Sequence, residues 1–402
     1  MKPVLLASLL SAPLLHAEVA FEPWSFTEKD LFPSAIVSTA TVDWNGDEQI
    51  AEDKKTEDDP KLRKRDIPVY GDENGWLGVE LTELPKGSEV EVEIAIEGFM
   101  KPSKWKGRIG KTTREGEARV FPKAAWDYTA LLKVRQQRPV TVSFKVTVDG
   151  DALGDENETC ILKSLNDCPF YVIWDEDGED VDDFSYLFAA YVNENHPVVD
   201  EVLKEALDSG LVDSFDGYQS GDPKHVMLQV FAIWNALQRR GIKYSDISTT
   251  TPSKYVVSQS VRFLDQSIRS SQANCVDGSV LMASILRKIG LESYLVMVPG
   301  HCFLAFDSGK GKKARRIGLE TTMLGNNDLK PIKELESLPR QAMLREFQDS
   351  YKTFSHAVLT GNATLKEHAD EFESADDPDV QIISISEARE LGITPLASPE
   401  EK

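Results

Sequence analysis

The chain has 402 residues, of which 41% are hydrophobic and 28% are charged, and its 67 acidic side chains outnumber 45 basic ones to give a net charge of −22. This apolar content excludes a wholly disordered chain, and the length allows two or three domains. The acidity excludes general binding to a nucleic-acid backbone, which needs clustered Lys and Arg. We therefore expect a folded acidic protein with no nucleic-acid partner.

The first 17 residues have the layout of a secretory signal peptide. Lys2 precedes an apolar stretch, and small or permissive residues follow as far as Ala17. The stretch is shorter than the roughly 20 apolar residues that a membrane-spanning helix needs. We expect cleavage after Ala17 and a secreted or periplasmic protein without membrane contact, with an uncleaved anchor as the alternative.

Residues 18–74 are predicted to be an irregular charged segment, because the run from Asp47 to Asp66 mixes both charge signs around Pro60. From residue 75 onward, hydrophobic residues alternate with polar ones in two stretches, which is the period of half-buried strands. The hydrophobic positions are Val90, Val92, Ile94 and Ile96, and then Val140, Val142, Phe144, Val146 and Val148. This pattern predicts an all-β sandwich of immunoglobulin-like type over residues 75–164.

Two of the four cysteines lie close together in the chain. Cys160 and Cys168 flank an Asn/Asp turn, and the expected compartment is oxidising. The pair is therefore a candidate for a local disulfide, although an even number of cysteines does not by itself establish pairing.

Beyond Cys168 the period becomes helical. Val199, Val202 and Ala206 share one face, and a second helix begins at Asp222-Pro223 and ends at Gly241. We predict an α+β domain over residues 165–366, followed by a C-terminal extension, 367–402, with a short strand and a helix. The acidic run Asp175–Asp183 lacks the spacing of an EF-hand and predicts no calcium site.

The segment from Cys275 carries the candidate chemistry. Apolar residues at helical spacing follow Cys275, and Gly290 is placed to end the helix. Cys275 is thus predicted in the first turn, where backbone amides stabilise negative charge and favour a thiolate nucleophile. Gln272, three residues earlier, is a candidate donor to an oxyanion.

A predicted hairpin supplies a histidine and an acid. If its turn is centred on Lys310-Gly311, His301 lies directly opposite Glu320, within hydrogen-bond reach. Cys275, His301 and Glu320 are therefore candidates for nucleophile, base and orienting acid. Cys302 would face the other side of the strand as a packing residue, and no Cys/His spacing predicts a metal site.

These residues resemble the transglutaminase-like superfamily, which has the papain-like Cys/His/acid fold. The matching segments are NCVDGSVLMASILRKIGL, VPGHCFLAF and GLETTMLG, preceded by VRFLDQSIRSSQ, and the resemblance covers roughly residues 185–360. It implies a secreted bacterial-type member in which Cys275 is the nucleophile, His301 the base and Glu320 the acid. The family's common acid is Asp, so Glu320 is a departure.

We therefore expect an exported thiol enzyme that acts on amide bonds through a Cys275 thioester. Transfer to water defines a peptidase or amidase, and transfer to a cationic amine defines a transglutaminase. The expected substrate is a protein or peptide, with no cofactor and no metal. The alternative is a catalytically inactive transglutaminase-like module that serves binding or assembly.

Overall fold

The computed structural model shows a mixed α+β protein with several sheets. It describes residues 18–42, 67–72, 74–174, 181–246, 253–311, 314–326, 328–330, 338, 340–374 and 379–398. The predicted signal peptide and the run Asp47–Asp66 lie outside these residues, as does most of the acidic run after Trp174. Within the described ranges, no helix has the length and apolar character needed to cross a bilayer.

The strands are β1 (Ala20–Ser25), β2 (Asp30–Leu31), β3 (Val69–Gly71), β4 (Leu77–Thr82), β5 (Glu89–Ile96), β6 (Met100–Arg108), β7 (Ala118–Phe121), β8 (Ala125–Trp126), β9 (Arg138–Val148), β10 (Asp151–Leu162), β11 (Asp167–Ile173), β12 (Val181–Asp183), β13 (Lys243–Tyr244), β14 (Val256–Ser260), β15 (Gln272–Ala273), β16 (Ser293–Val298), β17 (His301–Asp307), β18 (Arg316–Leu319) and β19 (Gln381–Ser384).

The α-helices are α1 (Pro33–Ser38), α2 (Tyr128–Leu131), α3 (Pro197–Asp208), α4 (Pro223–Arg239), α5 (Leu264–Ser270), α6 (Cys275–Lys288), α7 (Gln348–Glu367), α8 (Ala369–Ser374) and α9 (Ile385–Glu390). Short 3-10 helices span Ser185–Tyr191, Thr321–Met323, Arg340–Met343 and Arg345–Phe347.

The described residues form two compact units. The first consists of residues 18–26, 67–125 and 141–159, and the second of residues 27–42, 126–140 and 160–398, each without the gaps given above. The chain enters the second unit for the last time at residue 160.

The first unit consists mainly of β-strands. One sheet has the strand order β1-β4-β7-β3, and elsewhere in the unit β5 pairs with both β6 and β9. The predicted alternation is confirmed in β5, where the hydrophobic side chains are buried, while Glu93 on the other face forms an ion pair with Lys104 at 2.7 Å. Burial of every second side chain thus decides which face of β5 packs into the core.

The segment 18–74 is not irregular where the structure describes it. Strand β1 pairs along its whole length with β4, and α1 buries Ala35 and Ile36 in the second unit. The prediction rested on the charged run, and it overlooked the short apolar stretches before that run. These stretches form regular structure because each one finds a core to pack against.

The second unit is built around the sheet β18-β17-β16-β19. Helix α6 contacts β16 and β17, and α7 packs against β18. The predicted helices α3 and α4 are confirmed, and so are the late strand β19 and the helix α9. Because β19 pairs with β16, residues predicted to be a C-terminal extension complete the sheet that carries His301.

The predicted disulfide is absent. Cys160 and Cys168, both among the described residues, are buried thiols with no bond between them. The two cysteines lie on β10 and β11, which belong to different sheets. Strand β11 instead pairs with β14, where Cys168 lies opposite Gln259.

Candidate active site

Cys275 is the first residue of α6. The preceding residue, Asn274, caps the helix: its side chain accepts a hydrogen bond from the Asp277 amide at 2.8 Å, and the Asp277 carboxylate accepts one from the Asn274 amide at 3.0 Å. This capping box satisfies amides that would otherwise lack partners. The thiol is half-buried at the end of the helix that attracts negative charge.

Asp277 is buried and anchors this first turn to the segment that follows β14. Its carboxylate accepts hydrogen bonds from the Arg262 amide at 2.7 Å and from the Arg262 guanidinium at 2.8 Å. Burial raises the pKa of Asp277, and the hydrogen bonds from Asn274 and Arg262, with the charge of Arg262, oppose that rise. Asp277 is therefore a structural anchor and does not orient His301.

His301 begins β17 and lies between Cys275 and Glu320. Its Nε2 lies 2.6 Å from a carboxylate oxygen of Glu320. The hydrogen bond with Cys275 and then that with Glu320 raise the pKa of His301 from 6.5 to about 10, against the opposing effect of burial. At neutral pH the imidazole is accordingly an imidazolium held beside the Glu320 carboxylate.

Glu320 is buried and is positioned by the turn that it starts. One carboxylate oxygen accepts hydrogen bonds from the amide and the hydroxyl of Thr322, at 3.1 Å and 2.7 Å, and the other faces His301. Burial alone raises the pKa of Glu320, but the hydrogen bond and charge of His301, together with Thr322, leave it below its ordinary value of 4.5. Glu320 is thus an anion whose two oxygens are both engaged.

The predicted hairpin register was wrong by two residues. Ala305 pairs with Gly318 and Leu304 with Leu319, so continuing this register places Glu320 level with Phe303 and not with His301. Strand β17 ends at Asp307 and β18 begins at Arg316, and between them the Ser308 amide still donates a hydrogen bond to the Arg315 carbonyl in the same register. A shift of two residues keeps a side chain on the same face. Glu320 therefore still reaches His301, but diagonally.

Helix α6 lies very close to the 3-10 helix that follows Glu320. A Cβ atom on Gly278 would lie 2.9 Å from the Thr321 hydroxyl. That hydroxyl is 3.2 Å from the Ser279 hydroxyl and 3.5 Å from the Cys275 carbonyl oxygen. The absence of a side chain at Gly278 thus allows the turn carrying Glu320 to approach the helix carrying Cys275.

The other sequence candidates lie nearby. Gln272 is half-buried in β15, and its role as an oxyanion donor stays a prediction. Cys302 is buried, and burial raises the pKa of its thiol while a hydrogen bond with Ser279 opposes the rise. The sequence did not predict Tyr244 as a site residue, because no local motif surrounds it. It becomes a candidate only in the tertiary structure, where its strand β13 pairs with β15, the strand before Cys275.

The charge on His301 makes the stability of the protein depend on pH. Because folding raises the pKa of His301 from 6.5 to about 10, the protonated imidazole stabilises the fold fully below pH 6.5, and this contribution is lost as the pH rises through about 10. We expect the difference in free energy of unfolding between the parent and His301→Ala to shrink over that range. Urea unfolding at a series of pH values measures it, and a difference independent of pH would contradict the expectation.

Among the described residues, no group of three or more His, Cys, Asp or Glu side chains is arranged to hold a metal ion. No protein-family model matches the chain, and no curated protein matches it significantly.

Proposed function

We propose that the protein is an exported thiol enzyme that acts on amide bonds through a thioester at Cys275. The observation that carries this proposal is the hydrogen bond between His301 and the buried Glu320 carboxylate, with the Cys275 thiol at the start of a helix and close enough to raise the pKa of His301. This is the thiol form of nucleophile, base and orienting group. The substrate is a protein or peptide, and the acceptor is water or a cationic amine.

In the proposed reaction, Cys275 and His301 act as a thiolate and an imidazolium. The thiolate attacks the carbonyl carbon, and the imidazolium then gives its proton to the departing amine, which leaves an acyl group on sulfur. Glu320 stabilises the imidazolium and fixes the ring, because its second oxygen is held by Thr322. Attack by water or by another amine releases the acyl group.

We also propose a fold family for each unit and a cellular location for the protein. The helix that starts at Cys275 and the adjacent strands carrying His301 and preceding Glu320 support a transglutaminase-like domain of papain-like type. The paired antiparallel strands of the first unit support an immunoglobulin-like sandwich. The apolar leader supports export to the periplasm or the exterior.

Alkylation by iodoacetamide tests the thiolate and its base. Cys275 is half-buried and the other three cysteines are buried, so labelling reports on Cys275. At pH 6 a free thiol, with a pKa of about 8.5, is almost fully protonated. We expect Cys275 to be alkylated readily at that pH, and His301→Ala to slow the reaction at least about 10-fold, since the cation that stabilises the thiolate is gone.

His225→Ala is the matched control for this experiment. The His225 side chain is 31% exposed, as that of His301 is, and it pairs with Asp216 at 3.2 Å on another part of the unit. Its removal should leave alkylation unchanged. If Cys275 reacts as an ordinary thiol and His301→Ala has no effect, the proposal fails, and the inactive binding or assembly module becomes the better interpretation.

A further inference from the structure

Tyr244 is held beside the segment that leads into Cys275. Strand β13 runs parallel to β15, with Tyr244 paired to Ala273, two residues before the thiol. The Ser245 amide donates a hydrogen bond to the Ala273 carbonyl at 3.0 Å. The backbone of Tyr244 is therefore fixed relative to the start of α6.

The side chain of Tyr244 lies on the same side as that of Ala273, because paired residues of neighbouring strands point to one face. The Ala273 Cβ is 3.9 Å from the position that a Cβ on Gly278 would take. Tyr244, Ala273, Gly278 and Thr321 line one narrow cavity between β13, α6 and the turn after Glu320. The ring thus flanks the site, and with 45% of its surface exposed it is accessible to a substrate.

The electrostatics agree with this placement. Burial, then the charge of Asp246, and then the charges of Cys275 and Glu320 raise the pKa of Tyr244. The phenol is consequently a protonated hydrogen-bond donor over the whole neutral range.

We propose that Tyr244 is a catalytic residue whose hydroxyl donates a hydrogen bond to the oxyanion formed when Cys275 attacks a carbonyl group. The sulfur–carbon bond forms, and the carbonyl π electrons move to the oxygen. They return as the leaving group departs with its electron pair, and Tyr244 keeps its proton throughout. This inference rests on the proposed function and names an oxyanion donor for it in addition to the candidate Gln272.

Two reagents distinguish an effect on the oxyanion from an effect on the thiolate. Iodoacetamide alkylates sulfur by displacing iodide, so no oxyanion forms. Acetylation by p-nitrophenyl acetate passes through a tetrahedral oxyanion and releases p-nitrophenolate, leaving a thioester on Cys275. We expect Tyr244→Phe to slow acetylation about 10-fold and to leave alkylation unchanged, because only the first reaction needs the donor.

Tyr255→Phe is the control, since Tyr255 is similarly exposed (40%) and lies before β14. It should slow neither reaction. Equal slowing of both reactions by Tyr244→Phe, or no slowing of either, would overturn the role of Tyr244 while leaving the proposed function in place. If the parent is not acetylated at Cys275 at all, the proposed function fails and the inference fails with it.

Discussion

Replacing Glu320 by Asp is expected to slow acetylation of Cys275 by p-nitrophenyl acetate about 100-fold, although the charge is conserved. Glu320 reaches His301 diagonally, from a position level with Phe303, and its oxygen lies 2.6 Å from Nε2. A side chain one methylene shorter cannot span this offset while it also binds Thr322. The imidazolium then loses its anionic partner.

Glu320→Gln provides the comparison for this prediction. The amide keeps the reach and loses the charge, whereas Asp keeps the charge and loses the reach, so the pKa of His301 should fall in both variants. We expect the two variants to be slowed to a similar degree, with both free energies of unfolding measured to exclude misfolding. If Glu320→Asp is acetylated at the same rate as the parent, the length of the side chain is unimportant and Glu320 does not orient His301.

Replacing Gly361 by Ala is expected to lower the free energy of unfolding by about 3 kcal/mol. Helix α7 crosses β18 with the two backbones in contact: a Cβ atom on Gly361 would lie 2.4 Å from the Gly318 carbonyl carbon and 2.6 Å from the Leu319 nitrogen. Backbone atoms cannot rotate away as a side chain can. The helix must therefore move off the strand and lose buried contacts.

The shift of α7 caused by Gly361→Ala should also move Glu320 in the candidate active site. The Glu320 amide donates to the Ala357 carbonyl of α7 at 3.0 Å, so a shift of the helix also disturbs the acid. Leu359→Ala removes more atoms from the same helix, but Leu359 is 48% exposed, and its effect should stay within about 0.5 kcal/mol. Denaturant unfolding measures both. Equal stabilities of Gly361→Ala and the parent would contradict the close approach.

Much of the local structure follows from residue patterns alone. The alternation around Val92 predicts a strand, and the spacing after Cys275 with Gly290 beyond it predicts a helix that starts at the thiol. Both are local properties, because side-chain period and capping chemistry depend on residues a few positions apart. Cys275 could be selected on this local basis, whereas the pairing of His301 with Glu320 rested on a hairpin register that the structure shifts by two residues.

The tertiary structure decided how these elements meet. The hairpin register differs by two residues, because Lys310-Gly311 does not require a tight turn and strand pairing selects the register. Tyr244 pairs with Ala273, which is 29 positions later in the chain, and Gly318 contacts Gly361, which is 43 positions later. No local pattern relates residues that far apart. Residue types and their local periods thus determined the candidates for chemistry, whereas packing between distant segments determined the distances at which they act.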